Sequence, residues 1–297
     1  RVELEERILT EILQNDLVFK IYHPKDFIEV ETFHSLALKI IKGRLLGRQL
    51  EESGFESFLK LSHSELPEEK IENIEHLYSL VRNYHVNFAE IREELRKKFR
   101  HFWQKEDLKQ NLTQLEELEI LTSQYEEHLK KNHSIDFAGL LEEATNHTNP
   151  IHTYDYVIID EYQDISPLEY LLIRSLRQLR SFKLFCVGDD WQTIYQFAGS
   201  EISLILNFEK CWGETSRFKI EQTYRFPEKL AKLSGSFIMH DRTQLRKQIR
   251  GTLVYGEDQI VEINGPSERT DLNSLYFFFL NMPEHASVFL IGRYNFD

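Results

Sequence analysis

Two places in this sequence put carboxylates where an apolar run stops. Val157-Ile158-Ile159 ends in Asp160-Glu161, and Leu184-Phe185-Cys186-Val187 ends, after Gly188, in Asp189-Asp190. A short β-branched run bounded in this way reads as a buried parallel strand. Ligands of open α/β sheets bind at the C-terminal ends of such strands. A carboxylate there can hold Mg²⁺, directly or through water, because that ion wants hard oxygen ligands and keeps several waters. Its neighbour can orient or deprotonate an attacking water. Placing a metal and a water is most of what phosphoryl transfer asks of a protein. The plain alternative for an acidic dipeptide is a solvated strand end.

The elements between the two tips favour the chemical reading. Ser166-Pro167 has the signature of a helix cap followed by a first-turn proline. Leu168, Leu171, Leu172 and Leu176 keep a helical period to about Arg180. The pattern is a strand–helix–strand crossover with two adjacent acidic ends. Gln192 follows, an amide able to touch a phosphate, and then Tyr195 and Phe197. Aromatic residues at this spacing read first as core packing.

DEYQD (Asp160 to Asp164), GDDWQTIYQFAGS (Gly188 to Ser200) and QTYRFP (Gln222 to Pro227) together resemble motifs II, III and IV of the UvrD/Rep family of superfamily 1 DNA helicases. The tryptophan at position 191, where most of that family has another acidic or polar residue, resembles one subset of it. ETFHSLALKII (Glu31 to Ile41) is similar to that family's TFHxL motif, and SIDFAGLL (Ser134 to Leu141) to its DFxxLL helix start. The resemblance runs from about Thr32 to Pro227. It implies a P-loop NTPase RecA-like parallel sheet, incomplete here, with an inserted all-helical subdomain. It implies ATP and Mg²⁺ as cofactors, with Asp160 on the metal and Glu161 positioning the hydrolytic water. Gln192 would sense the γ-phosphate and Arg225 would act as an arginine finger. Thr32, Phe33 and His34, with Tyr195 and Phe197, would contact single-stranded DNA, or duplex DNA with a 3′ single-stranded tail. From the residues alone His34 reads first as a capping or core histidine. No role is assigned to Trp191.

Composition sets bounds on these expectations. The chain has 297 residues with 41% hydrophobic content, enough for two domains or one with a large insertion. No run approaches 18 consecutive apolar residues, so no membrane partner is expected. The charged start RVELEERI does not resemble a signal peptide. Two cysteines, Cys186 and Cys211, argue against a disulfide framework and fit a reducing cytoplasm. The histidines show no metal-ligand spacing. A net charge of -13 counts against tight nucleic-acid binding by this chain alone, since phosphate contacts need Lys and Arg. Base stacking needs less positive charge.

Along the chain, Val2, Leu4, Ile8, Leu9, Ile12 and Leu13 predict an amphipathic helix over residues 2–15. Ile28 and Val30 predict a short strand leading into a helix near Ser35. Residues 47–132 read as an all-helical insertion between two halves, 1–46 and 133–250, of a first RecA-like domain. Within it, Ile91 to Lys105 mixes basic and aromatic residues and suits either DNA phosphates or a solvated helix face. Ser200 is expected to cap a helix through Phe208. Phe218–Glu221 reads as a strand, and Pro227 as the start of a helix to about His240. Residues 251–297 have the βαβ texture of a second RecA-like domain.

No GxxxxGK[ST] loop, whose amides and lysine cradle phosphates, occurs in the sequence. The chain therefore reads as an internal fragment, inactive alone, of an ATP-dependent 3′–5′ helicase or translocase, with repair or recombination proteins as partners. The alternatives are a helicase-like module acting on RNA polymerase, and the motor part of a helicase–nuclease.

Overall fold

The computed structural model describes residues 28–45, 47–101, 104–149, 153–194 and 199–253, with positions 276, 279, 280 and 282. The expected helix at 2–15 and most of the βαβ stretch expected at 251–297 lie outside the described residues. The chain divides into two compact units, Arg1–Ser216 and Arg217–Asp297.

The first unit is built around two hydrophobic cores. One core joins helix α1 (Phe33–Ile41), α6 (Phe137–Asn146) and α7 (Pro167–Leu179) to strands β3 (Tyr156–Ile159) and β4 (Lys183–Cys186). Each helix starts on a polar cap: Thr32 for α1, Asp136 for α6 and Ser166 for α7. The α7 start is a full capping box. Ser166 Oγ accepts from the Glu169 amide at 3.2 Å, and Glu169 Oε2 accepts from the Ser166 amide at 2.9 Å. Pro167 sits at the first helical position, where its missing N–H costs nothing. Leu168, Leu172, Ile173 and Leu176 then bury one stripe of the helix.

The second core belongs to the helical segment: α2 (Gly54–Ser62), α3 (Glu68–Asn83), α4 (Phe88–Lys98) and α5 (Lys105–Lys131). Phe55, Phe58, Tyr78 and Tyr125 are its aromatic centre, with the Phe55 and Tyr78 rings stacked at 4.1 Å. Its two ends meet at a neck, where β1 (Gln49–Leu50) pairs in parallel with β2 (Ser134–Ile135). The expectation of an all-helical 47–132 is thus corrected by one short strand. Beside the neck, Arg48 clamps Glu143 of α6 with two hydrogen bonds of 2.8 and 2.6 Å.

Strands β3 and β4 run parallel, with Ile159 opposite Cys186, so they end side by side. Ile159 faces the core while Ile158 and Phe185 lie 72% and 59% exposed on the other face. The second unit holds β5 (Gln222–Pro227), the helix after it and β6 (Arg250–Leu253), the strands parallel. Preceding it, α8 (Ser203–Leu206) and α9 (Phe208–Trp212) close the first unit, and α10 (Glu228–Ile238) follows β5.

Four expectations are corrected. Ile28–Val30 is not a strand; chain without regular structure there leads to Thr32, whose hydroxyl accepts from the Ser35 amide and starts the helix at Phe33. Ser200 is not a cap. Ile202 precedes the first helical residue, Glu201 accepts from the Ser203 amide at 2.9 Å, and Asn207 in a non-helical conformation splits the expected helix in two. The strand expected at Phe218–Glu221 lies at Gln222–Pro227, because pairing with β6, rather than local propensity, decides the register. The helix after Pro227 ends at Ile238, short of His240.

The Arg48 hydrogen bond holds the Glu143 carboxyl below its usual range, against the opposing effect of burial. That contribution to stability is present above the unfolded glutamate pKa and is lost as pH falls through the depressed folded value. For so exposed a pair it is worth under about 1 kcal/mol. Replacing Arg48 with Gln is expected to flatten the acid limb of stability against pH, measured by urea unfolding between neutral and acid pH.

Candidate functional site

The paired ends of β3 and β4 build the site. The ladder runs one step past the strands: Val187 N donates to Ile159 O at 2.9 Å, and Tyr162 N donates to Val187 O at 2.8 Å. This fixes Asp160-Glu161 beside Gly188-Asp189. Glu161 takes a left-handed conformation, φ 51° and ψ 43°. Such a conformation is costly for a non-glycine residue, and it turns the chain sharply out of the strand. The Asp160 Oδ1 accepts from the Glu161 amide at 3.0 Å. Both carboxylates are exposed.

Gln163 joins the two tips. It is 2% exposed. Its Nε2 donates to Glu161 Oε2 at 2.9 Å and to Asp164 Oδ2 at 3.2 Å, and its Oε1 accepts from the Asp189 amide at 2.9 Å. A Cβ at Gly188 would lie 2.9 Å from Gln163 Oε1, so this approach needs glycine. Beyond it, Asp189 Oδ1 accepts from the Trp191 amide at 3.1 Å and Oδ2 from Gln192 Nε2 at 2.6 Å. The result is one hydrogen-bonded chain: Glu161, Gln163, Asp189, Gln192. Burial, and then the charge of Glu161, push the Asp164 carboxyl above its usual range.

The turn carrying Gln163 is pinned from beneath. Tyr162 is buried, its hydroxyl accepts from Trp212 Nε1 at 2.7 Å, and its ring meets Phe208 edge-on at 5.3 Å. Burial pushes the Tyr162 hydroxyl pKa up, so it stays neutral.

The expected site residues fall into groups. Asp160, Glu161 and Gln192 are brought together. Thr32, Phe33 and His34 stand on α1: Thr32 caps the helix, Phe33 packs against the first core, and His34 meets Phe137 edge-on at 4.9 Å. Burial lowers the His34 pKa. Arg225 lies on β5 of the second unit, exposed, its amide bonded to Thr223 Oγ1. Tyr195 and Phe197 lie outside the described residues. Gln163 was missed by sequence reasoning. Its only signal was an uncharged polar residue between Tyr162 and Asp164 in a turn.

No group of three or more His, Cys, Asp or Glu side chains placed to hold a metal occurs among the described residues. Mg²⁺ does not need one. It uses one or two carboxylates and takes its other ligands from water and phosphate. The open, hard oxygens of Asp160 fit that mode, and when bound the ion would neutralise charge on a transferring phosphoryl group.

Replacing Gln163 with Leu should remove the acceptor of the half-buried Asp189 N–H. The expected loss is about 1–3 kcal/mol, read as a lower urea midpoint at unchanged m-value. An unshifted midpoint would mean the amide is not the tie between the tips.

Residues 2–212 match the family model described as the UvrD/REP helicase N-terminal domain. Among curated relatives, DNA helicase IV of Escherichia coli (strain K12) is 35% identical over 144 residues, covering 47% of this chain and 21% of that protein. The Probable DNA helicase II homolog of Mycoplasma capricolum is 34% identical over 133 residues, covering 42% and 18%. The ATP-dependent DNA helicase PcrA of Bacillus subtilis is 28% identical over 158 residues, covering 46% and 21%. The chain thus spans about a fifth of the length of these relatives. With most of its length matched by that model, and with acidic ends of parallel strands tied as described, the chain belongs to the UvrD/REP helicase family.

Proposed function

We propose that this chain is part of an ATP-dependent motor that moves 3′ to 5′ on single-stranded DNA, or on duplex DNA with a 3′ single-stranded tail. The observation that carries the reading is the hydrogen-bonded chain from Glu161 through Gln163 and Asp189 to Gln192. It ties a water-positioning carboxylate to an amide that can report the state of a bound nucleotide. The names of the relatives, one of them an ATP-dependent DNA helicase, support the same reaction class.

In this reading Asp160 holds Mg²⁺ and Glu161 orients the attacking water from its strained position. Gln192 meets the γ-phosphate, and Arg225 offers delocalised positive charge to the transferring group. Tyr195 and Phe197 stack on bases, which suits a motor indifferent to sequence. Thr32, Phe33 and His34 mark a further DNA contact along the start of α1. The RecA-like first domain comprises residues 1–46 and 133–250, the helical subdomain 47–132, and a second RecA-like domain begins at 251. The separate core of the helical segment supports that division.

The test uses a longer protein that carries these residues together with a GxxxxGK[ST] loop. ATP hydrolysis is expected, with stimulation by oligo(dT). Replacing Glu161 with Gln should lower kcat by roughly a hundred- to ten-thousandfold. Replacing Phe197 with Ala should weaken oligo(dT) binding by about 1–3 kcal/mol. Hydrolysis indifferent to both DNA and Glu161 would sink the proposal.

A further inference from the structure

Helix α3 begins in one core and ends against another part of the first unit. Ile71, Ile74 and Tyr78 lie in the helical core. The Tyr78 hydroxyl donates to Asp136 Oδ2, the α6 cap, at 2.7 Å, and Arg82 Nη2 stands 3.1 Å from Glu142 Oε2 and 3.7 Å from Asp136 Oδ1. One residue on, Asn83 lies against Gly199. A Cβ at position 199 would fall 2.6 Å from Asn83 Nδ2 and 2.8 Å from Asn83 Cβ, and Gly199 has φ +96°. The Tyr84 hydroxyl then pairs with the Glu201 carboxylate. Glu201 in turn donates its amide to Ile165 O at 3.1 Å, next to the turn that carries Gln163.

This end of α3 is held firmly. His85 sits left-handed at φ 50°, with its amide on Arg82 O at 3.1 Å and the Val86 amide on Val81 O at 3.3 Å. That is a Schellman closure carried by a histidine instead of glycine. His85 Nδ1 also stands 3.3 Å from Glu142 Oε1. A stiff rod therefore has one end packed by apolar contacts and the other meeting residues 199–201, through the close approach of Asn83 to Gly199 and the Tyr84–Glu201 pair. Polar contacts of this kind can break and re-form without exposing apolar surface, which suits a joint between two states.

We propose that Asn83 and Tyr84 are positioning residues that couple the segment after Gln192 to the helical subdomain, with α3 as the transmitting element. The proposal rests on the motor reading and adds to it the route by which nucleotide state reaches the inserted helices.

The first test is hydrogen–deuterium exchange on this chain, without nucleotide. The double variant Asn83→Ala, Tyr84→Phe should speed exchange at residues 188–194 and 199–206 by roughly five- to tenfold. Exchange in the α5 core, Leu118 to Leu129, should stay unchanged. Because coupling is reciprocal, Gly199→Ala should speed exchange at residues 82–86. No acceleration at either end, or equal acceleration in α5, overturns the proposal. In the longer protein the double variant should keep basal ATP hydrolysis and lose most of its stimulation by oligo(dT). Retained stimulation also overturns it. A wild type that does not hydrolyse ATP defeats the motor reading alone, since the exchange experiment needs no nucleotide.

Discussion

The site depends on one buried amide. Gln163 has no access to water that could replace its partners, so its two donors and its acceptor must be satisfied inside. They are satisfied only if the turn after β3 and the turn after β4 hold a fixed distance. The parallel register of the strands sets that distance coarsely, and the amide sets it finely. Gly188 belongs to the same constraint, because any side chain there would push the amide away. A weak local element, a three-residue turn after a strained glutamate, is thereby held by the amide above and by the buried Tyr162 below.

Beneath it the packing is conventional. Tyr162 and Trp212 close the floor with a buried hydrogen bond between residues 50 positions apart, and Arg177 lies 5.5 Å over the Trp212 ring. The helical segment is a contrasting solution. It carries its own aromatic core and meets the rest of the unit through a two-residue strand pair, the Arg48–Glu143 clamp and the Asp136 cluster. Polar junctions of this kind fix orientation while leaving each core intact.

Much of this was legible before any coordinates. The β3 and β4 runs and the Ser166-Pro167 helix start are local signals, read from adjacent residues, and each lies where the sequence placed it; the helix start at Asp136 follows the resemblance. What was not legible depends on distant partners. Nothing near Gln163 announces an acceptor for an amide 26 residues away. The strand near residue 220 was misplaced because Phe218 and Ile220 have high strand propensity, while the ladder with β6 begins only at Gln222. The apolar pair is left 86% and 81% exposed. Thr32 shows the opposite case: the cap was visible in its sequence position, but strand-like alternation before it drew the reading toward a strand.

The left-handed Glu161 has a consequence for how this protein can be improved. Its backbone conformation costs roughly 1 kcal/mol for an L-residue with a Cβ, and glycine or asparagine would tolerate it better. A screen that selects only for thermal resistance would therefore favour losing the carboxylate at this position. Under the water-positioning role proposed for Glu161, stability and chemistry would pull in opposite directions at a single residue, and a consensus-style redesign that scores folding alone would remove that carboxylate while making the molecule sturdier.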